Sequence, residues 1–145
     1  MTQIDFYILP DDNSLDALTY ACRLIEKVYR LGHDMYIHCG DEATCQYLDN
    51  LLWQHGAESF LAHARADQNP ACSPVVLGCQ EPPAEHGEIM VNLSGDIPAF
   101  FSRFRRVAEI VPGKPDDRTK SRQNYLFYKE RGYPLNTHTI KSPMR

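Results

Sequence analysis

The hydrophobic period of this chain switches type repeatedly within its first 55 residues, and that pattern narrows the possible folds more than any other feature. Residues 2–9, TQIDFYIL, are rich in β-branched and aromatic types and stop at Pro10, which predicts a strand. Asp11, Asp12, Asn13 and Ser14 follow with turn and N-cap chemistry. Leu15, Leu18, Cys22, Ile25 and Tyr29 then recur at spacings of three and four, one face of an amphipathic helix, and Gly32 stands where a C-cap belongs. Residues 35–39, MYIHC, predict a second strand. Gly40 turns the chain and Asp41 caps a second helix, which runs to about Gln54 with Tyr47, Leu48, Leu51 and Leu52 toward the core. Strand, helix, strand, helix in so short a span predicts βαβ units and a parallel sheet.

The remainder fits the same class less regularly. Residues 57–74 predict a short strand and a long loop, and PVVLG (74–78) a strand. EIMVNL (88–93) predicts a buried strand, followed by a short helix over Ile97–Arg103 and a strand over Arg106–Val111. Residues 115–131 predict the last helix. Pro115 suits its first turn, Asp116 and Asp117 suit the positive end of its dipole, and Gly132 stops it. The tail from Tyr133 is expected to be ordered briefly and frayed beyond about residue 140. The expectation is an α/β fold in a single domain over residues 1–145. Its mostly parallel (mixed) sheet is flanked by helices, Rossmann-like in outline but without a nucleotide site.

Hydrophobic residues make up 43% and charged residues 23% of the chain, the balance of a folded globular domain. No apolar run reaches the roughly 20 residues that span a bilayer, so no membrane partner is expected. MTQIDFYILPDD lacks a basic n-region and a cleavage-type sequence, which favours the cytoplasm. There, the five cysteines Cys22, Cys39, Cys45, Cys72 and Cys79 read as free thiols.

Catalytic and cofactor motifs are missing. No G-x-x-x-x-G-K-[ST] occurs, and the turn after the first strand, PDDNS, would repel a pyrophosphate where G-x-G-x-x-G would cradle it. Cys39 and Cys45 are separated by five residues and Cys72 and Cys79 by six, outside the usual zinc spacing. No G-x-S-x-G elbow is present, and Cys39 or Ser94 at strand ends would lack a general base. The sequence therefore predicts no enzyme activity, no cofactor, no nucleotide and no metal.

Charge is distributed very unevenly. Residues 1–100 hold four basic residues against fifteen acidic, a balance of −11; residues 101–145 hold eleven against four, a balance of +7. Within the last helix Arg118, Arg122, Tyr125 and Lys129 recur at spacings of four, three and four, placing two guanidiniums, a phenol and an ammonium in one stripe. Two readings follow. One is a solvated face paired with Asp116, Asp117 and Glu130. The other is a receptor for an anionic group, with arginines as bidentate donors and tyrosine as an apolar wall. Direct single-stranded nucleic-acid binding through this stripe is the competing form of the second, since Tyr125, Phe127, Tyr128 and Tyr133 could stack on bases. The acidic remainder of the chain opposes it.

FYIL near the start, LLWQHGAESFLAH (51–63), VNLS (91–94), EIVP (109–112) and R-x-x-Y-x-x-Y-x-x-x-G-Y-x-L-N-T (122–137) together resemble the chi subunit of bacterial DNA polymerase III, from Phe6 to about Thr137. The resemblance implies an accessory, non-catalytic subunit held in the clamp-loader complex through a second small subunit, psi. It implies capture of the acidic C-terminal tail of single-stranded DNA-binding protein, with DNA met only indirectly, and a helicase-like repair partner that competes with psi. Arg118, Arg122 and Tyr125 match the tail-binding face, and Val111 matches an apolar wall. Leu126 departs from it, standing where the family pattern has a lysine, which takes one charge from the basic pocket; whether Lys129 or Lys120 compensates stays open. Trp53 and Phe60 match the apolar face for psi or the helicase.

Overall fold

In the computed structural model, residues 2–10, 16–55, 63–65, 74–80, 82 and 87–141 are described. Among these residues seven strands form one sheet in the order β3-β4-β2-β5-β6-β1-β7. The strands are β1 (Gln3–Ile8), β2 (Met35–His38), β3 (His63–Arg65), β4 (Val75–Gly78), β5 (Ile89–Asn92), β6 (Arg106–Val111) and β7 (Leu135–Thr139). Among the described residues every pairing is parallel, and no antiparallel pair makes the sheet mixed.

Alternation along the strands sorts side chains onto two faces. Met35, Ile37, Val75, Leu77, Val91, Ala108 and Ile110 meet one core with helices α1 (Ala17–Arg30) and α2 (Glu42–His55). Ile4, Phe6, Tyr36, Val76, Met90, Val107 and Val111 meet a second core with Phe101, Phe104 and Tyr128, the last on helix α3 (Pro115–Glu130). Layers of helix, sheet and helix result.

Local chemistry sets the helix ends. Asp16 caps α1 by accepting from the Thr19 N–H at 3.2 Å, two residues beyond the run expected to cap it. Asp41 accepts from the Thr44 N–H at 2.7 Å at the head of α2. Pro115 opens α3, and Gly32 and Gly132 follow α1 and α3 at φ +86° and +80°, the left-handed region that glycine enters without strain.

The sequence misplaced three features. Tyr47 is 57% exposed, because the buried ridge of α2 runs through Cys45, Leu48 and Leu52. The helix expected over Ile97–Arg103 is a single 3-10 turn at Phe101–Arg103, and the chain before it turns through Pro98, whose carbonyl accepts from Phe101 N–H at 3.1 Å. The tail forms β7, a parallel edge strand on β1 running from Ile4↔Leu135 to Ile8↔Thr139. LNTHT is largely exposed and shows no apolar alternation, so nothing in it signalled a strand. Residues 142–145 lie outside the described residues.

Candidate functional site

The basic stripe lies where α3 crosses the carboxyl ends of β1 and β6. A polar network beneath the helix holds it there. Tyr128 Oη donates to Glu109 Oε2 at 2.8 Å, and Asn92 Nδ2 donates to the two oxygens of Glu109 at 3.1 and 2.9 Å. Asn124 Nδ2 donates to the Gly95 carbonyl at 2.8 Å. Glu109 is only 4% exposed and no cation is bonded to it among the described residues. Burial pushes its carboxyl up to about 7, against the pull of the Asn92 and Tyr128 hydrogen bonds. Phe6 packs on Tyr125 and Tyr128 at ring-centroid distances of 5.6 and 6.1 Å, so the tyrosine of the stripe is tied to the sheet.

Between α3 and the sheet lies an open cleft of about 150 Å³. Phe6, Ile8 and Val111 make its apolar floor, and Arg118, Ser121, Arg122 and Tyr125 its helix wall; Thr137 of β7 closes the far side. Arg118 Nη2 donates to the Leu9 carbonyl at 3.1 Å, which orients the guanidinium, while its buried Nε–H has no partner among the described residues. Arg122 is exposed at the rim. An apolar floor ringed by two guanidiniums, one with an unused donor, suits a carboxylate joined to an apolar group.

Four sequence-predicted residues, Val111, Arg118, Arg122 and Tyr125, therefore share this cleft. Lys129 does not line it; it is exposed one turn beyond Tyr125. Lys120 pairs with Asp96 at 3.2 Å on another side of α3, and Leu126 is 54% exposed. Phe6, Ile8, Ser121 and Thr137 were not singled out by the sequence. Ser121 lies one helical turn before Tyr125 and was legible from spacing; Phe6, Ile8 and Thr137 reach the cleft through strand pairing.

Three of the four aromatic residues offered for base stacking are committed elsewhere, and Tyr125 lines the cleft. Tyr128 is fully buried, Tyr133 packs on Phe101 at 5.1 Å, and Phe127 carries Arg131 over its face at 3.7 Å. Cys39 is fully buried and burial raises its thiol, the opposite of an activated nucleophile. Cys22 and Cys45 are buried too, their thiols pushed up to about 11. Ser94 donates to Asn92 Oδ1 at 2.7 Å as part of a turn. Among the described residues no three histidine, cysteine or acidic side chains converge as metal ligands, and no helix is long and apolar enough to cross a membrane.

Trp53 stands on α2, across the sheet from α3, and is 56% exposed. Phe60 lies outside the described residues.

A model of the family described as "DNA polymerase III chi subunit, HolC" matches residues 1–136. The chain is 42% identical over 140 residues to a "DNA polymerase III subunit chi" of Pseudomonas aeruginosa, covering 97% of this chain and 98% of the relative. It is 30% identical over 147 residues to the protein of that name from Escherichia coli, with 97% and 100% covered. For Haemophilus influenzae the identity is 28% over 139 residues, with 93% and 95% covered. By sequence, over nearly its whole length, the chain belongs to the DNA polymerase III chi subunit family.

Proposed function

We propose that this chain is a non-catalytic accessory subunit of the clamp-loader assembly, and that the α3 cleft captures the acidic C-terminal tail of single-stranded DNA-binding protein. The observation that carries the reading is the meeting of Arg118, Arg122, Tyr125 and Val111 over one apolar floor. A tail ending in an apolar residue would seat that side chain on Phe6, Ile8 and Val111 and offer its terminal carboxylate to the guanidiniums. Acidic residues upstream would run along the basic stripe. A site this small gives affinity in the micromolar range, sensitive to salt. Psi, or a competing helicase-like partner, would dock through Trp53 and Phe60; Trp53 stands on the α2 side, which leaves the tail cleft free on the other face of the sheet.

Titration with a synthetic acidic peptide ending in a large apolar residue tests the reading, beside the same peptide lacking that residue. The full peptide is expected to bind at least about tenfold more tightly. Equal affinity for the two would show that only charge is being read and would remove the cleft from the account.

A further inference from the structure

A second recess lies on the other face of the sheet, at the amino ends of β1, β5 and β6 beneath the last turns of α1. Its cause is one short side chain. Ala108 of β6 stands in register between Asp5 of β1 and Val91 of β5, and its methyl group leaves a hollow between them. Tyr7 and Ile89 extend the floor, and Leu24, Val28 and Leu31 of the α1 region form a wall. Leu31 is 66% exposed. The recess holds about 420 Å³, within the range of ligand pockets and larger than the α3 cleft.

The charges around it are of two kinds. Asp5 is buried and already satisfied, by Arg106 at 2.9 Å and His138 at 3.3 Å. Glu88 is satisfied by the His33 ring at 3.0 Å and the Asp34 N–H at 3.0 Å. Lys27 and Arg105 line the same recess, and neither forms a side-chain hydrogen bond or close ion pair among the described residues; Arg105 lends Glu88 only its nearby field. Lys27 comes from the helix wall and Arg105 from the head of β6. A compact anion with one charge meets one wall; an extended chain with a carboxylate on each side of an apolar anchor meets both.

We propose that this recess is a second docking site, taking an internal acidic segment of a partner protein whose large apolar side chain is flanked by carboxylates. The anchor fills the hollow over Ala108, and the flanking acids pair with Lys27 and Arg105. The site needs no free C-terminus and lies on the opposite sheet face from the α3 cleft. Both can be occupied together, and the proposal stands whether or not the tail reading does.

The probe is the doubly capped peptide acetyl-Asp-Glu-Phe-Glu-Asp-amide, titrated into the full ¹⁵N,¹³C-labelled chain and followed by NMR. Saturable shifts are expected at Leu24, Val28, Val91 and Ala108, with no binding of a peptide carrying serine for phenylalanine. The double variant Lys27→Glu, Arg105→Glu reverses two exposed charges without touching the core, and circular dichroism checks its fold. It is expected to weaken binding at least about tenfold, while Arg122→Ala leaves it unchanged. Three results overturn the proposal: shifts that do not saturate, affinity unchanged by the charge reversal, or loss on Arg122→Ala, which would move the peptide to the α3 cleft. Equally tight binding of 1-naphthoate that displaces the peptide would also overturn it, by making the recess a site for small aromatic anions.

Discussion

At the residue scale, Arg118 and Arg122 share a cleft but do different work. Arg118 is anchored on the Leu9 carbonyl and keeps a buried Nε–H with no hydrogen-bond partner among the described residues, whereas Arg122 is at the rim. Arg122→Ala is expected to weaken binding of an acidic C-terminal peptide by about 2 kcal/mol, or roughly thirtyfold, with thermal stability nearly unchanged. Tyr125→Ala removes a wall rather than a charge and is expected to cost less binding. It also loses the Phe6 contact, so it should lower the melting temperature where Arg122→Ala does not. Glu109 gives a prediction about pH. Its carboxyl titrates near 7 in the fold and near 4.5 when unfolded, so between those values the folded state holds the extra proton. Stability from this group therefore falls as pH rises from about 4.5 through about 7. Glu109→Gln keeps the shape; its carbonyl can accept from Asn92 and its amide can donate to Tyr128 Oη. The variant is expected to unfold at higher urea than wild type at pH 8, by up to about 3 kcal/mol, with the gap closing by pH 5. A variant less stable than wild type at both pH values would mean that the ionised carboxylate stabilises the network.

At the scale of elements, the strands and helices with strong hydrophobic period were legible and the exposed edge was not. Ile4 and Phe6, Ile25, Leu48, Val76 and Met90 are apolar at the period of their element and are buried in it. β7 is held by its main-chain pairing with β1 and its side chains are mostly solvated, so its sequence has no period to read. For the same reason half the cleft was legible: the helix wall from the spacing of Arg118, Arg122 and Tyr125, the floor and Thr137 only once β1, β6 and β7 were paired. Lys129 shows the limit of spacing, since it continues the stripe but overruns the cleft. Two predictions belong here. Asp16→Ala removes the α1 cap and is expected to cost about 1 kcal/mol in urea unfolding, with no effect on peptide capture. Trp53→Ala on the exposed side of α2 is expected to leave stability within about 0.5 kcal/mol. It should weaken association with a psi-like subunit by about 2 kcal/mol or more, read by analytical ultracentrifugation. If this variant unfolds instead, Trp53 supports the fold and the interface loses its anchor.

For the whole molecule, the sheet separates two surfaces: α3 and its cleft on one face, α1 and α2 on the other. A linker between two partners needs such a separation, since binding one need not occlude the other. The charge asymmetry adds direction. The segment of balance +7 includes α3, while the rest of the chain carries −11, so the account expects an acidic tail to be steered toward α3. Isothermal titration of an acidic peptide ending in a large apolar residue, with wild type and Arg122→Ala at low and moderate salt, tests the central claim most directly. The account predicts micromolar binding by wild type that weakens with salt, and a loss of roughly thirtyfold in the variant at low salt. Wild-type affinity retained by Arg122→Ala would contradict it, and would leave α3 as a solvated basic face.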